Sequence, residues 1–259
     1  MSLVEFELKD HIAVITFNRP EKLNAMSPEM MEEFHDTFHR FIEDDDAWVG
    51  VLTGSGRGFC AGRDLRGASA FGGVRGPSKQ PPRPMYEGSS CLGIEPTDKP
   101  LVAAVNGFAM GLGWYIVLDC DIRVAAAGVE FGMSEVPTGV LGPYFLSGLE
   151  SMPWPIAAEL TLIGERVKAE RLLGLGLLNA VVPGDQLLDE AMRWAKKLVA
   201  LPPMHVRQTK ALMREMRRFP DDRALLQDRA AREYLGELDD TEEAVIAWQE
   251  KRTPHYTGT

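Results

Sequence analysis

An α/β fold is predicted for this chain by three features of its sequence. Apolar, β-branched runs near the N-terminus alternate with stretches of helical spacing. A unit of strand, glycine-rich turn and helix returns about every 50 residues through the first half, which suggests stacked layers. Beyond Pro153 strand signals give way to helical periodicity almost throughout. The expected architecture is a mixed sheet core followed by a helical C-terminal section.

Leu3 to Thr16 reads as strands, with Ile12-Ala13-Val14-Ile15-Thr16-Phe17 closed by the turn residues Asn18-Arg19-Pro20. Ser27 followed by Pro28 is an N-cap with proline at the first helical position, and Met30, Met31, Phe34, Phe38, Phe41 and Ile42 recur at helical spacing up to Glu43. Trp48 to Thr53 is a buried strand ended by Gly54-Ser55-Gly56-Arg57-Gly58. Gly67 to Gly93 is rich in Gly, Pro and Ser, with a short helix expected near Met85 to Leu92; a substrate lid and a plain solvated loop both fit it. Leu101 to Val105 is a strand, Asn106 to Gly113 a glycine-rich turn, Trp114 to Cys120 a helix, and Asp121 to Ala126 a strand leading through Phe131-Gly132 to Glu135. Helices are expected near Pro155–Ile163, Lys168–Leu173, Gln186–Leu201, Pro203–Arg218, Asp222–Gly236 and Thr241–Lys251.

Bulk composition narrows the function. A chain of 259 residues that is 45% hydrophobic can bury one sizeable core. A formal charge of −10 argues against nucleic-acid binding, which selects for clustered Lys and Arg, and means that an anionic ligand would need local positive charge. Cys60, Cys91 and Cys120, odd in number and without C-x-x-C spacing, suit reduced packing thiols. No basic n-region and apolar h-region opens the chain, and the apolar stretch Leu101–Leu118 is broken by Asn106 and glycines. A cytoplasmic protein without membrane spans is the expectation.

Several chemistries are disfavoured by motif. The Gly54–Gly58 turn lacks the spacing of a dinucleotide loop and has no GK[ST]. His35 and His39 share a helix face but lack the intervening glutamate of a zinc motif, so exposed helix histidines are the simpler account. Ser147 has no G-x-S-x-G elbow around it. Two glycine-flanked turns, Gly58 to Leu65 and Asn106 to Gly113, each follow a strand. Backbone N–H groups at such turns can point at negative charge, and two of them converging on one oxygen would form an oxyanion hole; either turn alone could equally be packing chemistry.

Phe59-Cys60-Ala61-Gly62-Arg63-Asp64-Leu65, Lys99 to Gly107, Cys120 to Ala125 and Phe131 to Glu135, in that order, resemble the signature of the enoyl-CoA hydratase/isomerase (crotonase) superfamily. Asn18-Arg19-Pro20 with Leu23-Asn24-Ala25 and Glu250 to Pro254 extend the likeness over nearly the whole chain. The resemblance implies the crotonase (ClpP-like) spiral of strand-strand-helix repeats over residues 1–195, with a helical region over 196–259 used for trimer assembly. It implies a homotrimer or hexamer, an acyl-CoA thioester as substrate and no metal or redox cofactor. Carried over by position, oxyanion donors fall on the backbone N–H of Arg63 and of Leu112, the latter where the family usually has Gly. CoA would lie along Lys22, Leu23, Cys60, Asp64 and Leu65, with Trp248 and Lys251 on its adenine and phosphates.

Of the family's two acid–base positions, one is matched by Glu135; the other falls on Tyr115, usually Glu. Two carboxylates can activate water and deliver a proton, whereas one can shuttle a proton between carbons of one acyl chain. A phenol with an ordinary pKa near 10 is a poor base but can donate a hydrogen bond; Tyr115 as a mere core aromatic also fits. Gly142-Pro143-Tyr144-Phe145 departs from the family's looser glycine run and makes Tyr144, with Met110, an acyl-pocket contact. Enoyl-CoA hydratase activity is the leading expectation, with enoyl-CoA isomerase, a thioester or carbon–carbon hydrolase, and a catalytically inactive acyl-CoA binder as alternatives.

Overall fold

The computed structural model describes residues 2–64, 97–139, 152–215 and 239–255. The expected lid at 67–93, Cys91, Ser147 and the helix at 222–236 lie outside them.

Among the described residues two sheets form, unequal in size. The large one has the order β1-β2-β3-β5-β7-β10: β1 (Val4–Lys9), β2 (Ile12–Phe17), β3 (Val49–Gly54), β5 (Leu101–Val105), β7 (Ile122–Ala126) and β10 (Ala180–Val182). Only β1 runs antiparallel to its neighbour; the other pairs are parallel. The buried strands β2, β3 and β5 read as nearly continuous apolar runs because helices and the second sheet cover them. The edge strand β1 instead alternates Val4, Phe6, Leu8 with Glu5, Glu7, Lys9, and its charged row discourages pairing with another chain.

The small sheet, β4-β6-β8-β9, is built from β4 (Gly58–Cys60), β6 (Phe108–Met110), β8 (Glu130–Gly132) and β9 (Val167–Lys168). Sequence reading takes β4 and β6 as turns, passes through β8 without assigning it a strand, and places β9 and β10 in a stretch read as nearly all helix, and the structure corrects this. Strands of two or three residues are too short to express a period of two.

The expected helices are present where the structure describes them. α1 (Pro28–Glu43) is capped by Ser27, whose Oγ accepts from Met30 N at 3.3 Å, and it buries Met30, Phe34, Phe38 and Phe41. Its far end is closed by Lys99, whose buried Nζ donates to Phe41 O at 2.8 Å and Asp44 O at 2.7 Å. Burial, with a lesser contribution from Arg207, brings that ammonium down to about 8. The Phe17 ring meets Phe34 of α1 at 5.1 Å and Phe59 of β4 at 5.4 Å, both edge-on, so one side chain joins the large core to the small sheet.

α2 (Leu112–Asp119) is apolar all round from Gly113 to Leu118 and buried over that span, as such a helix must be. Arg123 closes its C-terminus through bonds to the carbonyls of Leu118 and Cys120. Beyond β8, a 3₁₀ turn (Val136–Thr138) precedes α3 (Trp154–Ala158) and a π-helical turn (Glu159–Ile163), followed by α4 (Ala169–Gly174). α5 (Leu187–Val199) packs on the large sheet, and α6 (Pro203–Glu215) is tied to it by Lys210, whose Nζ donates to Lys99 O and Asp121 Oδ2. The last helix, α7 (Asp239–Glu250), buries Ala244 and Ala247 and leans on the 3₁₀ turn at Val136–Thr138. Among the described residues no helix is long and apolar enough to cross a membrane.

Candidate active site

The small sheet brings the two glycine-bearing segments side by side. β4 and β6 are parallel neighbours, so the chain leaves both at the same edge, β4 into Ala61-Gly62-Arg63 and β6 into Gly111-Leu112. Gly62 has φ +96° and Gly111 φ +49°, conformations that side chains rarely adopt. A Cβ at Gly62 would sit 3.0 Å from Met110 O and 3.9 Å from Leu112 N, and one at Gly111 would sit 2.9 Å from Glu135 Oε1. Glycine is thus required where the chain before Arg63 passes the 110–112 backbone and where that backbone passes Glu135.

The direction of the Arg63 N–H follows from a single pairing. Met26 bridges to Arg63: Met26 N donates to Gly62 O at 2.8 Å and Asp64 N to Met26 O at 3.0 Å. In a trans peptide the C=O and the N–H point opposite ways, so the Gly62–Arg63 unit, with its carbonyl on Met26, turns the Arg63 N–H away from Met26. Leu112 is the first residue of α2; its N–H has no intrahelical acceptor, since the first backbone bond of that turn runs from Tyr115 N to Gly111 O.

Glu135 follows β8 and opens the 3₁₀ turn. Its carboxyl is pushed above the usual carboxylate range, first by burial; hydrogen bonding from Tyr115 and from its own backbone acts in the opposite sense without cancelling it. Oε2 is buried with no hydrogen-bond partner among the described residues. Tyr115, one turn into α2, is 5% exposed and near enough to act on the Glu135 carboxyl. One carboxylic acid and one phenol therefore share an enclosed space.

The remaining site residues divide by position. Lys22 ends an exposed 3₁₀ turn (Pro20–Lys22), Leu23 O accepts from Ala61 N at 3.0 Å, and Cys60 is buried on β4, so Lys22, Leu23, Cys60 and Asp64 stand together beside Arg63. Burial pushes the Cys60 thiol up to about 12 and the Cys120 thiol up as well, consistent with inert packing residues. Met110 ends β6 between Gly62 and Gly132. Trp248 and Lys251 are exposed at the end of α7, where Arg252 is engaged by Glu243 and Glu250. Leu65 and Tyr144 lie outside the described residues. His35 and His39 are half-buried, facing each other with ring centroids 4.7 Å apart, and no group of three metal-ligating side chains occurs among the described residues. Sequence reading passes over Met26 and the role of Arg19, although the likeness at Asn18–Pro20 and Leu23–Ala25 marks their segment.

The model of the enoyl-CoA hydratase/isomerase family matches residues 7–259. The chain belongs to that family. It is 32% identical to (E)-benzylidenesuccinyl-CoA hydratase of Thauera aromatica, over 98% of this chain and 99% of the relative. It is 31% identical to the short-chain-enoyl-CoA hydratase of Clostridium acetobutylicum, over 96% and 95%. The crystal structure of carnitinyl-CoA hydratase from Mycobacterium avium superposes with a TM-score of 0.83 at 27% identity, covering 100% of both chains. The two-sheet core with its helical C-terminal section is the crotonase fold.

Proposed function

We propose that the chain, an enzyme of the enoyl-CoA hydratase type, holds the thioester oxygen of an enoyl-CoA between the N–H groups of Arg63 and Leu112 and moves protons with Glu135. Water adds through oxygen to the β-carbon as Glu135 takes its proton. The alkene electrons move toward the carbonyl, leaving enolate charge on the oxygen that the two amides hold. The enolate then collapses, and the α-carbon takes the proton back from Glu135. Each amide donor contributes about 3 kcal/mol to such a transition state. A carboxyl raised toward neutrality is the better matched to give as well as take a proton.

The observation that supports this reading is the crowding around Gly62 and Gly111: both have positive φ, and a Cβ on them would press on the 110–112 backbone and on Glu135 Oε1. Lys22, Leu23, Cys60, Asp64 and Leu65 would line the CoA, and Trp248 and Lys251 would hold its adenine and phosphates. Met110 and Tyr144 would bound the acyl group. The test is Glu135→Gln assayed on a panel of trans-2-enoyl-CoA thioesters; undiminished hydration would refute the assigned base.

A second reading is favoured by Tyr115. With Glu135 alone at the family's two acid–base positions, the chain suits an isomerase, taking a proton from one carbon of the acyl chain and returning it to another. A 3-enoyl-CoA converted faster than any 2-enoyl-CoA is hydrated would select it. Tyr115→Glu separates the two, since a gain in hydration would identify the missing carboxylate as limiting. Residues 196–259 would form the trimer surface; α6 supports this by exposing Met204, Leu212 and Met213, and sedimentation velocity reporting a monomer would refute it.

A further inference from the structure

We infer that Arg19 is a positioning residue for catalysis, stapling the backbone bridge that aims the Arg63 N–H; the inference rests on the oxyanion-hole reading above. A main-chain donor has no side chain to steer it, so its aim is that of its peptide plane. Here the plane is set by Met26 N donating to Gly62 O and Met26 O accepting from Asp64 N. That bridge is isolated, outside both sheets and unsupported by a longer ladder, and pairing so short is weak in water.

Arg19 reinforces it from both sides at once. Its Nη1 donates to Ala25 O at 2.9 Å, next to Met26 on one segment, and to Asp64 Oδ2 at 2.7 Å, next to Arg63 on the other. The paired side chains are only 18% and 12% exposed, so solvent screens the contact little. The base of the staple is itself anchored. Arg19 N donates to Asn24 Oδ1 at 2.8 Å, and the fully buried Asn24 donates through Nδ2 to Ser55 O and Gly58 O, the turn that leads into β4. Segment 19–26, β4 and the Gly62–Arg63 peptide thus form one rigid frame.

A donor misplaced by about 1 Å can cost about a hundredfold in rate, because the bond it makes is to charge present only in the transition state. Arg19→Met is expected to lower kcat by about ten- to a hundredfold while KM moves less than about threefold. Asp64→Asn should show a similar loss, and the double variant should be no worse than the poorer single one, because both break one contact.

The readout that a merely structural role would not move is the absorption of bound cinnamoyl-CoA, which shifts to longer wavelength as its carbonyl is polarised. The wild type should show the shift, Arg19→Met should lose most of it, and Arg19→Lys should restore part. A wild-type shift retained in full by Arg19→Met, with unchanged kcat or with only a lower Tm, overturns the staple and leaves the oxyanion hole standing. No shift in the wild type overturns the oxyanion hole, and the staple with it. If Arg19→Met does not fold, Asp64→Asn decides by the same two readings.

Discussion

The two sheets of this protein solve different problems. The large sheet has β2 and β3 of six residues each, lined by β-branched and aromatic side chains and covered by α1 and α5; it is where most apolar surface leaves water. The small sheet has strands of two or three residues and buries little by comparison. Its edges nevertheless carry Arg63, Leu112 and Glu135. On the proposed function, stability comes from long pairings that tolerate small displacements, and catalysis from short ones flanked by glycines that tolerate none.

The sharpest way to break this division is Glu135→Gln. Activity is expected to fall by about a thousandfold, the scale of general acid–base catalysis, while thermal unfolding shows equal or greater stability, because the substitution removes an ionisable group that burial penalises. Loss of activity with a large drop in Tm would place Glu135 among the stabilising residues instead.

Gly111→Ala tests the small sheet without replacing a reacting group. The methyl would meet Glu135 Oε1 at 2.9 Å on a backbone at φ +49°, so kcat should fall by about a hundredfold through displacement of the base and of Leu112 N–H. The accompanying stability cost should be about 1–3 kcal/mol.

Ile15→Ala is the counterpart in the large sheet. Ile15 is fully buried in β2, and its truncation should cost about 2–5 kcal/mol in chemical denaturation. Below the unfolding transition kcat should stay within about twofold of wild type, since changes this far from the chemistry leave the small sheet in place. A matching loss of kcat would show that the two sheets are not separable.

The smallest effect concerns pH. Glu135 holds its proton more tightly folded than unfolded, so as pH rises above the ordinary carboxylate value the unfolded chain loses that proton first. Stability therefore falls as pH rises from that value to the raised folded one, then levels off. The wild type should lose stability relative to Glu135→Gln across this window, and parallel curves for the two would contradict the raised carboxyl.

How far the sequence could be read follows the same division. β2, β3, β5 and β7 were legible because several consecutive apolar residues carry an unmistakable pattern, and α1 because Ser27, Pro28 and its phenylalanines mark both start and face. β4, β6 and β8 were not, since glycines and three residues look alike in a turn and in a short strand. Glu135, Arg63 and Leu112 became visible through motif likeness, which marks positions in the chain without saying what holds them in place. Met26 and Arg19 act through main-chain geometry. Their contacts join segments far apart in sequence, and no local spacing announces them.

The contact between the last helix and the turn after Glu135 ties two distant stretches of chain. Gly139 leaves room for nothing larger than hydrogen: a Cβ there would come within 2.6 Å of Ala244. The C-terminal helix is thus a doorstop behind Glu135, the proposed proton carrier. Cleavage ahead of Asp239, or a bulky side chain in place of Ala244, would loosen or tilt that carrier without touching a single reacting atom.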